Sequence, residues 1–81
     1  MNLTPIKSNM TELVLNEWKV LFSYQTAVAA QNRSTGNFYQ TEKKWSRTTS
    51  RHINQWLRSY GDPGAQFMPQ EYFDNLIAGV K

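Results

Sequence analysis

The stretch from Asn37 to Tyr60, NFYQTEKKW (37–45) followed by SRTTSRHINQWLRSY (46–60), changes its hydrophobic period midway. In the first half Phe38 and Gln40 fall on one side of an extended chain. Tyr39, Thr41, Lys43 and Trp45 fall on the other, which is the period of a strand. In the second half Thr49, Ile53, Trp56, Leu57 and Tyr60 recur at helical spacing and form one apolar stripe. Ser46 or Thr48 can cap that helix by accepting a bond from a free backbone N–H. Gly61 stands where a left-handed terminating residue belongs, and Arg58 suits the negative end of the helix dipole. A strand leading into an amphipathic helix points to an α+β class.

Working upstream, Trp18, Val20, Phe22 and Tyr24 alternate with Lys19, Leu21, Ser23 and Gln25. Residues 13–31 therefore read as strand. Thr26–Gln31 can continue that strand or begin a helix, since alanine weakly favours helix. The turn cluster Asn32-Arg-Ser-Thr-Gly36 favours one long, bulged strand that returns as a hairpin through 37–45. Residues 1–12 have no period and read as a flexible N-terminal arm, with Met10 a candidate internal start and 13–81 the domain. Downstream, GDPG (61–64) is a turn and Ala65–Met68 a short third strand at an edge. PQEYFDNLIAG (69–79) is a closing helix, with Pro69 and Glu71 at its start, Phe73, Leu76 and Ile77 inward, and Gly79 at its end. The expected architecture is a small antiparallel sheet, a hairpin or three strands. One main helix covers one side of it, and a short C-terminal helix follows.

The chain has 81 residues, no cysteine and one histidine. This excludes disulfides, thiolate chemistry and, in effect, a zinc site of several imidazoles. A core of this size leaves only about 3–5 kcal/mol of net stability. The eleven aromatics are the expected compensation, and pairing of two copies as a homodimer is another. No apolar run is long enough to span a membrane and no signal peptide is visible, so the expected location is cytoplasmic.

The residues offer little for catalysis. His52 lies at the margin of the apolar stripe, where packing is the ordinary role. Glu71 and Asp74 suit a helix N-terminus better than a catalytic pair, and no Gly-rich phosphate loop exists. The expectation is a protein that is not an enzyme and takes no cofactor. Charge is the positive signal. From Lys43 to Arg58 there are five basic residues and no acid, while the remainder has four basic against six acidic. Lys43, Lys44, Arg47, Arg51, Asn54, Gln55 and Arg58 are the candidate nucleic-acid-binding residues. Arginine can pair with guanine and Asn or Gln with adenine. A helix-turn-helix is not expected, because the element upstream reads as a strand. Tyr24, Phe38 and Tyr39 are candidate stacking residues, although a small aromatic core tends to bury such groups. The competing class is a protein-binding module that uses the 65–68 edge, the outer edge of the hairpin or an aromatic patch.

Three stretches also carry a resemblance: Phe22-Ser-Tyr-Gln-Thr-Ala-Val-Ala-Ala30, Gly36-Asn-Phe-Tyr39 and Trp45-Ser-Arg-Thr-Thr-Ser-Arg-His-Ile-Asn-Gln-Trp-Leu57, with a fainter echo at Tyr72-Phe-Asp-Asn-Leu76. Together they resemble a family of small proteins from phage and microbial genomes that share an "SYxTxVA" strand and a "TTSxHINxWL" helix. The resemblance covers about 55 residues, Phe22 to Leu76. It implies a small accessory protein of a virus or mobile element, acting in the host cytoplasm by binding either nucleic acid or a host protein. It implies no activity.

Overall fold

The computed structural model describes residues 2–7 and 9–78. Its elements are β1 (Asn2–Lys7), β2 (Met10–Leu15), β3 (Trp18–Ser23), β4 (Thr26–Asn32), β5 (Phe38–Thr41), α1 (Arg47–Ser59), β6 (Ala65–Met68) and α2 (Gln70–Ala78). The strands form one six-stranded sheet in chain order. β1 to β5 are antiparallel neighbours, and β6 runs parallel to β5. The class is α+β, but the sheet is twice the expected size.

The long strand expected over 13–31 is instead the end of β2, then β3, then β4. Leu15 pairs with Trp18 and Ser23 with Thr26, so each connection is a two-residue turn. The turns are Asn16-Glu17 and Tyr24-Gln25, with φ of 52° at Asn16 and 60° at Tyr24. Neither contains glycine or proline, so the sequence gives no punctuation. A two-residue turn also preserves a period of two, so the alternation reads straight through it.

Residues 1–12 were expected as an arm outside the domain, but Asn2–Lys7 form β1 and Met10 begins β2. Asn2 pairs with Val14, and the ladder runs to Lys7 opposite Met10. Pro5 is compatible with this position because β1 is an edge strand. Met10 is a core residue at 1% exposure, not the first residue of an independent domain.

The sheet is covered on both faces, where one had been expected. Met10, Leu21, Val28, Ala29 and Phe38 pack under α1 with Ile53, Trp56 and Leu57. On the opposite face Leu13, Val20, Ala27 and Ala30 surround Phe73 of α2. A β-bulge makes this arrangement fit. Leu21 pairs with Ala29 but Phe22 pairs with Ala27, which leaves Val28 as the extra residue. Val28 and Ala29 then both face α1, while Ala27 and Ala30 face α2, so residues 27–30 are all buried. Their small side chains leave room for a helix on each side.

Each helix layer has its own aromatic cluster. Under α1 the rings of Phe38, Trp56 and Tyr60 lie 5.4–5.6 Å apart. On the other face those of Trp18, Tyr39 and Tyr72 lie 5.7–6.2 Å apart. The ends of α1 are as the sequence suggests. Ser46 Oγ accepts from the Thr49 N–H at 3.2 Å. At the other end Gly61 has φ +87°, and the N–H groups of Gly61 and Asp62 donate to the carbonyls of Arg58 and Leu57. Gly79, the expected end of α2, lies outside the described residues.

Candidate functional site

The apolar stripe of α1 buries Thr49, His52, Ile53, Trp56 and Leu57. Helical geometry then turns Arg47, Arg51, Asn54 and Arg58 outward, and all four are exposed. Gln55, expected beside them, is half-buried. Its Oε1 is enclosed without a hydrogen-bond partner among the described residues.

A shallow groove along the outer side of α1 is lined by Arg47, Ser50, Arg51, Asn54, Gln55 and Arg58, with no carboxylate. A second groove opens between α1, the β5–α1 connector and β6. Lys43, Lys44, Trp45, Ser50, Asn54 and Phe67 line it, together with one acid, Glu42. Ser50 and Asn54 belong to both grooves. The seven candidate residues taken from the sequence therefore lie on one continuous surface. None of its five cations is in an ion pair among the described residues.

Gln70, at the start of α2, holds the connector in place. Its Nε2 donates to the Ala27 carbonyl at 2.7 Å. Its Oε1 accepts from Thr41 Oγ1 at 2.9 Å and from the indole N–H of Trp45 at 3.1 Å. The Lys43 ammonium stands 4.2 Å from the centre of the Trp45 ring, a cation–π contact.

The stacking candidates divide. Phe38 is buried in the core and Tyr39 belongs to the aromatic cluster beneath α2. Only Tyr24 is exposed, at 51%. Two aromatics not singled out for the surface join it, Trp45 at 42% and Phe67 at 62%. A signal for Trp45 was present in the sequence, since it directly follows Lys43-Lys44 and precedes the helix cap. Phe67 carried none, because its exposure follows from the position of β6 at the sheet edge.

Ser23, Thr49 and His52 meet inside the fold. Ser23 Oγ lies 2.8 Å from His52 Nδ1 and 3.1 Å from Thr49 Oγ1. All three residues are buried, and their bonds fasten the end of β3 to α1. Glu12 is a second fastening. Its Oε1 accepts from Trp56 Nε1 at 2.9 Å and from Tyr60 Oη at 2.6 Å. Burial, reinforced by this carboxylate, raises the Tyr60 phenol above its ordinary value of 10. Burial, with the neighbouring Tyr39, also raises that of Tyr72.

Among the described residues no group of three or more His, Cys, Asp or Glu side chains is placed to hold a metal ion. Among the described residues no helix is long and apolar enough to cross a membrane. The sequence model of a family of unknown function (DUF8033) matches residues 1–75. That match includes the β1 segment ahead of Met10. No curated protein and no solved structure matches the chain.

Proposed function

Because the chain belongs to this family of unknown function, which lends it no activity, we propose from its surface that it is a non-catalytic nucleic-acid-binding protein. The observation that carries the reading is the outer groove of α1, lined by Arg47, Arg51 and Arg58 without a carboxylate. Three guanidiniums along one helix face offer bidentate donors to phosphate oxygens. Asn54 lies among them, within reach of whatever those phosphates carry.

The start of α1 adds to this. Its first turn has no acidic residue, although carboxylates are favoured there by the helix dipole. Lys43 and Lys44 precede the Ser46 cap and Arg47 is the first helical residue, so an anion approaching this end of the helix meets cations and no acid of the first turn. A small accessory protein of phage or mobile-element origin, as the motif resemblance implies, accords with a binding role.

The test is a titration against labelled single- and double-stranded DNA and RNA at several salt concentrations. Affinity should fall steeply with salt, and the logarithmic slope reports the number of phosphate contacts. Arg51→Glu with Arg58→Glu should abolish binding and leave the thermal melt intact, since both side chains are exposed. Unchanged affinity in that variant would remove the α1 face as the site. The competing reading is a regulator of a host or defence protein that docks on the exposed Phe67 and the edge of β6. It predicts the reverse sensitivity, with partner binding spared by the charge reversal and lost in Phe67→Asp.

A further inference from the structure

The three exposed large aromatics of the described residues are Tyr24, Trp45 and Phe67. They come from three separate places: the β3–β4 turn, the β5–α1 connector and β6. The fold nevertheless brings them to two adjoining grooves. Trp45 and Phe67 line one, and Tyr24 and Trp45 line the other. Lys44, Trp45 and Thr49 belong to both. Trp45 therefore stands between the other two, with Lys44 beside it.

We infer that this row binds single-stranded nucleic acid by stacking its bases on Tyr24, Trp45 and Phe67, while Lys43, Lys44 and Arg47 hold its phosphates. The inference rests on the nucleic-acid reading above and deepens it, because a duplex hides the base faces that such a row would engage.

Two structural details support a built platform. Trp45 is oriented at its edge by the bond to Gln70 and on its ring by the Lys43 ammonium, so the indole is fixed before any ligand arrives. Tyr24 is held at φ +60°, a conformation that bulky residues rarely adopt. Its N–H donates to the Asn9 carbonyl at 2.7 Å, which secures the turn while the ring stays 51% exposed. Charge complementarity favours an anion over an apolar peptide. Lys44 is common to both grooves, Lys43 lines one, and Glu42 is the only acid in either.

The experiment compares three ligands of equal length: a single-stranded oligonucleotide, the same strand with abasic sites, and the duplex. The intrinsic tryptophan fluorescence and a labelled-strand titration are read in parallel. The wild type should bind the intact strand about tenfold or more tightly than the abasic one, the range expected for stacking a base or two. Indole emission should be quenched on binding. Trp45→Ala and Phe67→Ala should each bring the intact strand down toward the abasic affinity, with the melt unchanged. Trp45→Phe, which keeps a ring but not the bond to Gln70, should retain most of the binding.

The outcomes separate. Equal affinity for intact, abasic and duplex ligands, lost only on Arg51→Glu with Arg58→Glu, overturns the stacking row and leaves the helix-face reading standing. Absence of binding to every ligand at low salt overturns both. Loss of affinity in Trp45→Phe equal to that in Trp45→Ala assigns the tryptophan to holding the connector and refutes stacking on it.

Discussion

At the residue scale, few side chains do as much as Trp56 and Glu12. Trp56 is 1% exposed, packs edge-on against Phe38 and Tyr60 and donates its indole N–H to Glu12. Trp56→Ala should cost about 3–5 kcal/mol, comparable to the whole stability of a domain this small. A cooperative melt close to that of wild type would show that Trp56 is not core. Glu12 also accepts from Tyr60, and the raised phenol gives a pH signature. The folded protein keeps the Tyr60 proton at a pH where the unfolded chain has released it. Stability is therefore whole below pH 10, the ordinary tyrosine value, and falls as pH rises above it. Tyr60→Phe should be less stable at neutral pH by about 1.5–3 kcal/mol, the cost of a hydrogen bond to a charged group. It should also lose stability less steeply in alkali, and denaturant melts between pH 8 and 11 check both. Trp56 and Tyr60 were legible in the sequence as members of a stripe. Their shared acceptor was not, because Glu12 is 44 residues from Trp56 and lay in a segment without a period.

At the element scale, α1 was the most legible feature. Its bounds, its Ser46 cap, its Gly61 stop and its buried side all follow from local sequence, because a helix satisfies its own backbone and carries its own periodicity. Gly61→Ala tests the stop. At φ +87° an added Cβ should cost about 1–2 kcal/mol, although open space surrounds it; a melt unaltered by the change would contradict the strain. Strands behaved differently. β3 and β4 merged in the sequence reading because a turn such as Tyr24-Gln25 keeps the alternation in phase. A bulged strand was expected, but the place of the bulge at Val28 was not legible, for a related reason. Ala27-Val-Ala-Ala30 has no polar residue to reveal a slip of face, and only a helix on each side requires one. The pairing of β6 needed its neighbours as well. It runs parallel to β5 because the chain leaves the end of β5, crosses one face as α1 and returns to the starting end.

At the scale of the whole molecule, the sheet is an antiparallel meander extended by one crossover, with an aromatic cluster beneath each helix. The N-terminal segment matters at the edge of that sheet, where β1 is the outer neighbour of β2. A chain beginning at Met10 would lose β1 and leave the edge of β2 unpaired. It should melt at a lower temperature than the full chain or aggregate, and an unchanged melt would return residues 2–7 to the role of an arm. The same assembly creates the proposed site. The cations of 43–58 could be found from the sequence, since charge density along a chain needs no folding to count. That they share a surface with Trp45, Phe67 and Tyr24 could not. By itself the sequence determined the α+β class, the main helix with its caps and buried stripe, the closing helix and the basic window, because each is written in local propensity, period or charge. Only the tertiary structure decided the six-stranded order, the burial of both faces and the exposed aromatic row. Strand partners and surface neighbours are set by contacts between distant residues, and local pattern does not encode those contacts.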